Sequence, residues 1–597
     1  MPHSTVFPWK PRFISSLALV ALGCLSLCGC PSGSNDGQTA TQSASSDQAD
    51  DGQSDRCAAI LNSLFDVYRI ERFESTFDLA TGAARLNDWQ RSCSATQESE
   101  APALPEGARK LFSDAQFAIL SGQQFRQRDA SHVRDCILFQ ALARRITQID
   151  SQGAGLSDLE KSIRVFEHVT RALQLPGTLE QQNRHAADLP FTPYEFYLMG
   201  RGTSVDRAWL AVNILRSLRI DAVLLTAGDS DDPGLSDLPT GFLVAVLVEG
   251  QAYLFDPALG VPVAAPGGEP GKLRPATLTE VLADPALLTR LDTPARKYPL
   301  TSESLRQPRV LMVGDLPYFS LRAQSLQQAF SGNRTVVVSE PLEDQADVPG
   351  LWSRIVTAGR GGSWNESQIS LWRYPQEQVA RSLSSTDDQN EIRKGLKLPF
   401  MAYLVVTPDP ANPGQVSLTG VQEFRDPALQ GLDSKDKDLA GFSRTDSKTT
   451  SGRQMDARLK QLAGDLPAAL KGYVEVQSNA RTILAIPKDP LVIRLQGGPA
   501  IDVKRFHFRA IDDAAVWSGL CQYEQGEFSA AASTFERYLR QASRLSEWTR
   551  HARYLLAVSQ AAQGKYAEAA ATLEVVPEED PEYPGFQAQI QCWKAVQ

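Results

Sequence analysis

Ser204 sits three residues after Arg201 in the stretch RGTSVDRAWLAVNILRSLRIDA, and Asp256 precedes Pro257 at the end of the run AYLFDP. A hydroxyl at a helix start and a carboxylate at a strand end are two parts of a nucleophile–base–carboxylate relay for acyl transfer or hydrolysis. The third part is an imidazole, because a serine hydroxyl attacks only when a base takes its proton. His168 and His185 are the candidate bases, and both precede Ser204. The same residues also have structural uses. Thr203 or Ser204 is a good helix N-cap with Asp206 in the first turn, and an aspartate before proline is an ordinary strand-end turn.

These residues need a helix and a sheet to position them. Val205, Trp209, Val212 and Leu215 fall on one face of a helix, with Asp206, Asn213 and Arg216 turned away from it. The β-branched and aromatic runs AVLLTA (222–227), FLVAVLVE (242–249) and AYLFDP (252–257) read as strands, with Gly250 and Gln251 as the break of a hairpin. Helix, RIDA, strand and strand pair ending in FDP resemble the transglutaminase-like family of the papain-like fold, over 120 to 140 residues of the chain.

That family carries Gly-x-Cys at the helix start, a histidine opening the next-to-last strand and an aspartate before proline. Here Ser204 stands in the nucleophile's place, Gly241 in the histidine's and Asp256 in the aspartate's. A thiol at a helix N-terminus ionises near neutral pH, and a hydroxyl does not. The resemblance therefore implies a pseudoenzyme that keeps the fold as a scaffold or as a protein- or peptide-binding module. The alternative is an atypical serine-dependent hydrolase or acyl transferase using Ser204 and Asp256 with an unidentified base.

Other chemistry-bearing patterns are missing. There is no Gly-x-Ser-x-Gly elbow, His-Glu-x-x-His helix, Walker loop or paired Cys-x-x-Cys. The glycine-rich AGRGGSW (358–364) lacks the Lys-Ser/Thr of a phosphate cradle and reads as a loop. His132 and Cys136 are four apart and share a helix face, but two ligands do not make a zinc site. No metal and no cofactor are expected.

The N-terminus carries Lys10 and Arg12, then a 15-residue apolar run from Phe13 to Leu27, then Leu-Cys-Gly-Cys ending at Cys30. The run is shorter than the ~20 residues that span a bilayer as a helix, so it reads as a processing signal. Leu27-Cys28-Gly29-Cys30 resembles the lipobox of bacterial lipoproteins, with Cys24 as a second candidate. By that resemblance Cys30 is the lipidated mature N-terminus, the membrane is a partner through its lipid, and Pro31 at the second mature position points to the outer membrane, with the body in the periplasm. A Ser/Asp/Gln/Gly-rich tether follows to residue 55.

Of eight cysteines, Cys57, Cys93, Cys136, Cys521 and Cys592 lie beyond the signal. In an oxidising compartment Cys57 with Cys93 and Cys521 with Cys592 are candidate disulfides, since each pair falls within one candidate helical segment; buried free thiols are the other reading.

At 597 residues the chain is expected to be multidomain α+β. The segments are a signal peptide (1–29), the tether (30–55), a helical domain (56–150), the transglutaminase-like domain (151–306), a mixed region with a polar loop near 431–454 (307–511), and C-terminal α-hairpin repeats (512–597). The last follow from a self-match at an offset of 38, with identities at Gln522/Gln560, Gly526/Gly564, Ala531/Ala569 and Thr534/Thr572 among others. Gly526-x-Phe528-x-x-Ala531 and Gly564-x-Tyr566-x-x-Ala569 resemble the tetratricopeptide repeat, which implies a surface for a protein or peptide partner. Two units are fewer than a stable stack needs, so further degenerate helices must complete it. Repeat helices acting alone in envelope assembly, with the rest as spacer, is a third functional reading. The net charge of −10 and the lack of a Lys/Arg-rich segment argue against a nucleic-acid partner.

Overall fold

The structure is a computed structural model; it describes residues 47–72, 79–93, 104–148, 155–175, 191–228, 241–330, 336–345, 348–360, 363–383, 404–408, 416–421, 450–484, 492–494, 500–542 and 546–596. The lipobox with Cys30 and Cys24, His185 and most of the polar loop lie outside these residues.

Helices dominate on both sides of a central sheet. The N-terminal ones are α1 (Asp47–Val67), α2 (Leu79–Cys93) and α3 (Gln127–Ile146), with two short helices, Glu106–Arg109 and Asp114–Leu120, between α2 and α3. α4 (Asp158–Ala172), α5 (Pro193–Met199) and α6 (Ser204–Ser217) follow, and lead into β1 (Asp221–Thr226), β2 (Phe242–Val248), β3 (Gln251–Asp256) and β4 (Val261–Pro262). Later come the short pair β5 (Ala264–Ala265) and β6 (Arg274–Pro275), then β7 (Arg309–Met312), α7 (Leu321–Ala329), α8 (Leu351–Gly359), β8 (Ile369–Leu371) and α9 (Tyr374–Leu383). Separate two-stranded pairs lie at 404–408 with 416–421 and at 492–494 with 500–502.

The sheet has the order β4-β3-β2-β1-β7-β8, antiparallel except for the outermost β7–β8 pair. The hairpin turn is Glu249–Gly250, both at positive φ, and Gln251 already pairs with Val248, one residue earlier than the expected break. Successive side chains alternate between faces of a strand. Accordingly Phe242, Val244 and Val246 join one core with α3, α4 and α6, while Leu243 and Ala245 join a second with Leu278, Phe319 and Trp352. The strands read as continuous apolar runs because both faces are covered.

α6 departs from the amphipathic expectation in the same way. Asp206, placed on the outer face by the sequence, is buried, and so is Arg207.

The C-terminal quarter is a helical array: α10 (Thr450–Ala463), α11 (Leu466–Leu484), α12 (Val503–Glu524), α13 (Phe528–Gln541), α14 (Thr549–Ala561), α15 (Tyr566–Glu574) and α16 (Tyr583–Lys594), each packed on the next. The α10–α11 pair supplies the additional helices the two visible repeats required, and its start at Thr450 lies inside the segment expected to be a polar loop.

The internal identities are contacts made twice. Thr534 Oγ1 donates to Gln522 Oε1 at 2.8 Å, and Thr572 Oγ1 donates to Gln560 Oε1 at 2.8 Å. Gly526 and Gly564 end the first helix of each pair at φ 78° and 75°, a conformation that favours glycine. Ala531 and Ala569 are fully buried, where their small side chains let paired helices approach.

From Gln53 to Gln597 the chain forms one compact unit. Within it, residues from all four segments expected beyond the tether share one core, from Leu64 through Val244 and Trp372 to Trp548 and Phe586.

Cys57 and Cys93 form a disulfide with a Cα–Cα distance of 5.5 Å, tying α1 to α2. The other candidate pairing is corrected: Cys521 and Cys592 are free thiols. Cys521 is buried in α12 and Cys592 lies on α16, and the consecutive stacking of the array sets three helices between them.

Candidate functional site

The start of α6 is built by Thr203. Its Oγ1 accepts the Asp206 backbone N–H at 3.3 Å, and Asp206 Oδ2 accepts the Thr203 backbone N–H at 2.8 Å and its hydroxyl at 2.9 Å. The Tyr374 hydroxyl donates to the other Asp206 oxygen at 3.0 Å. This reciprocal capping box satisfies two orphan donors of the helix. Ser204 is the first helical residue, half-buried, and its hydroxyl makes no hydrogen bond with any described residue.

Asp256 is buried at the end of β3. One carboxylate oxygen accepts the backbone N–H groups of Ala258 and Leu259 at 2.7 and 2.9 Å, and the other accepts the Tyr298 hydroxyl at 2.6 Å. Burial pushes its carboxyl above the usual range against these donors, and Tyr298 is pushed well above the usual phenol value by burial and by the carboxylate it faces. The aspartate organises the turn after β3; none of its hydrogen bonds goes to an imidazole.

Gly241 offers no empty place for a histidine. A Cβ there would stand 2.6 Å from Pro299 Cγ and 3.1 Å from Leu300 Cγ. His168 is buried in α4, with Nε2 2.8 Å from the Tyr197 hydroxyl and Nδ1 3.9 Å from Glu524. Burial and the guanidiniums of Arg145, Arg171 and Arg458 hold its pKa well below the usual imidazole value, so it is neutral. Both ring nitrogens are thus directed to Tyr197 and Glu524. Asp256 and His168 each have local partners of their own, and neither bonds to Ser204.

His132 and Cys136 do meet inside the fold. Cys136 Sγ is 3.5 Å from His132 Nε2, which donates to the Val338 carbonyl at 2.8 Å, while Nδ1 lies 3.1 Å from Asp315 Oδ1. Burial works against the charged imidazole, but Asp315 and Cys136 outweigh it and raise its pKa well above the usual value. An imidazolium is not a metal ligand. Among the described residues no group of three or more His, Cys, Asp and Glu could hold a metal ion.

The residue that sequence reading passed over is Arg207. It is 1% exposed, and its guanidinium donates to Leu173 O at 3.1 and 2.8 Å, to Pro257 O at 3.2 Å and to Glu582 Oε1 at 2.7 Å. Four elements meet on it: α6, the end of α4, the turn after β3 and the entry to α16. Burial works to raise the Glu582 carboxyl, but Arg207 and Arg550 outweigh it and hold it below the usual range. The only cue was an arginine inside an apolar helix; its partner lies 375 residues away.

Arg207 belongs to a wider seam. Arg201 pairs with Asp513 at 2.8 Å and with Glu547; Arg550 donates to Leu175 O; His551 Nε2 donates to Arg171 O at 2.8 Å; Arg458 donates to the carbonyls of Tyr197 and Leu198 at 2.7 and 3.0 Å. Gly200, in the left-handed conformation that ends α5, lies against Trp517 and Trp548. These array residues come from α10, α12, α14 and the start of α16, the first helices of successive pairs. α10 touches α12 and α12 touches α14, so these first helices form one layer. Solenoids bind ligands along one face of their stacked helices; here the layer of first helices is covered by α4, α5 and α6 of the same chain.

Residues 522–590 match the family model of the tetratricopeptide repeat. No curated protein and no solved structure matches the chain. The likeness to known families is to the tetratricopeptide repeat, over α13 to α15 and the helical turns beside them.

Proposed function

We propose that the chain is an envelope-anchored lipoprotein, lipidated on Cys30, that works as a protein-binding scaffold around a transglutaminase-like domain without thiol or serine catalysis. The observation that carries the scaffold reading is the tetratricopeptide match at 522–590, a repeat type that serves protein–protein contact. A helix followed by antiparallel strands, with Asp256 at the end of β3, supports the transglutaminase-like reading. Against catalysis stand the separate local partners of Asp256 and His168, neither of them Ser204, and Pro299 against Gly241.

With its layer of first helices spent on the chain's own body, the array offers a partner its other layer, α11, α13 and α15. A photoreactive residue at Val474, exposed on α11, is expected to give discrete protein adducts in envelope preparations; none would overturn the scaffold reading. The full chain is expected to stay unlabelled by a fluorophosphonate probe. Labelling that disappears in Ser204→Ala would restore the serine-hydrolase alternative. Incorporation of a palmitate analogue, lost in Cys30→Ser, tests the anchor.

A further inference from the structure

β8 is an outermost strand of the six-stranded sheet, and its backbone is half used. The Trp372 N–H donates to Met312 O at 2.9 Å, and the parallel register pairs Ser370 with Leu311. In a parallel ladder alternate residues address the same neighbour. Ser370 and Trp372 therefore bond to β7, while Ile369 and Leu371 turn their peptide groups to the open edge. The Ile369 N–H is taken by Glu366 O. That leaves the Ile369 carbonyl and both peptide groups of Leu371 without a backbone partner among the described residues.

This edge does not face bulk solvent directly. It lines a cleft of about 840 Å³ together with residues between Glu106 and Gln116. Phe112 and Trp352 are apolar members of its lining, and Lys110, Arg309, whose Nε donates to the Ser370 hydroxyl at 3.2 Å, and Arg373 are cationic ones. Glu106 lies 3.2 Å from Lys110, and Glu366 lies beside Gly107 at one end. An unpaired strand edge is a template for another strand. Most edges are blunted by charge or cover; this one lines a cleft sized for a ligand.

We infer that the β8 edge binds an extended segment of a partner protein that alternates apolar and acidic residues, added as a seventh strand. Backbone bonds to Leu371 and Ile369 supply register, and alternate side chains point to opposite faces, as strand geometry requires. One set meets Phe112 and Trp352, and the other meets the cationic groups of Lys110, Arg309 and Arg373. The inference deepens the scaffold reading, on which it rests, by naming a second contact surface away from the repeats.

The test uses the full chain and a fluorescein-labelled hexapeptide of alternating valine and glutamate, followed by fluorescence polarisation. Leu371→Pro removes the edge-facing donor without touching a bond to β7, a position where an edge strand accepts proline. Leu371→Ala keeps the donor and controls for the lost side chain. Saturable binding that falls at least tenfold in Leu371→Pro and less than about threefold in Leu371→Ala is the expected result. Arg309→Glu combined with Arg373→Glu should weaken it comparably, and serves alone if the proline variant does not fold. No saturable binding at millimolar peptide, or equal binding of a valine–lysine hexapeptide, overturns the inference. So does unchanged affinity in a folded Leu371→Pro protein. Photo-adducts at Val474 that persist in Leu371→Pro would separate such a failure from a failure of the scaffold reading itself.

Discussion

The turns at Gly526 and Gly564 and the helix start at Thr203–Arg207 are two places where sequence pattern invites a reading, and they turned out differently. In the repeats, identical residues 38 positions apart make identical contacts, down to the same 2.8 Å bond from threonine to glutamine. At the catalytic-motif positions Asp256 orders a turn and Ser204 only begins a helix, while their neighbours Thr203 and Asp206 cap that helix and Arg207 anchors a seam. A pattern that recurs within one chain reports a contact that must form twice. A match to positions of a catalytic motif reports only that a fold could place them, and their use depends on neighbours brought from elsewhere.

The comparison breaks most sharply at Arg207. Replacing it with Met leaves Glu582 buried beside fewer positive groups, and stripping one partner from a buried pair costs about 3–5 kcal/mol. Urea unfolding of Arg207→Met should show this loss, and the double variant Arg207→Met with Glu582→Leu should recover part of it. A loss under about 1 kcal/mol would mean that the seam is not the anchor described here.

The seam is also predicted to be acid-labile. His551 is buried and neutral, burial having lowered its pKa from 6.5 to about 4 while the Arg171 carbonyl pulls the other way. The folded value lies below the unfolded one, so the unfolded chain binds the proton first. This contribution is fully present above about pH 6.5 and is lost as pH falls toward 4, amounting to about 3 kcal/mol. Denaturation midpoints at pH 7 and 4.5 measure it, and His551→Gln, which keeps a donor for Arg171 O, should flatten the difference.

The symmetry of the repeats is sharpened by Thr534→Val and Thr572→Val. Each removes the threonine–glutamine bond, which Thr572 shares with the Glu568 carbonyl at 2.9 Å, and is expected to cost about 1 kcal/mol, the two losses agreeing within about 0.5 kcal/mol. A large inequality would show that the shared residues no longer do shared work. At the other region, Thr203→Ala should cost about 1 kcal/mol as a lost N-cap, while Ser204→Ala should stay within about 0.5 kcal/mol. The reverse order would mean that Ser204 has a role the capping geometry does not explain.

Much of the local structure was legible. The β2–β3 hairpin followed from the apolar runs around Gly250, and was displaced by one residue because Glu249 also takes a positive φ. The helical character of the N-terminal segment followed from its periodicity. The polar face of α6 misled at Asp206, which looks solvent-facing until Tyr374 is folded against it, and Arg207 beside it was passed over because its partner Glu582 is remote. The Cys521–Cys592 pairing misled for a related reason: nearness in sequence is not nearness in space when helices stack one after another.

Short-range rules in the sequence alone accounted for the helix start at Thr203, the strands β1 to β3, and the glycine turns and threonine–glutamine bonds of the repeats. Those features depend on residues within a few turns of one another. Only the tertiary structure decided that Asp256 orders a turn with Tyr298, that Pro299 lies against Gly241, and that the layer of first helices in the array is covered by α4 to α6. The physical reason is that a buried charge or hydrogen-bonding group must find its partner wherever the fold supplies one, and here the partners of Arg207, Arg201 and His551 lie hundreds of residues along the chain.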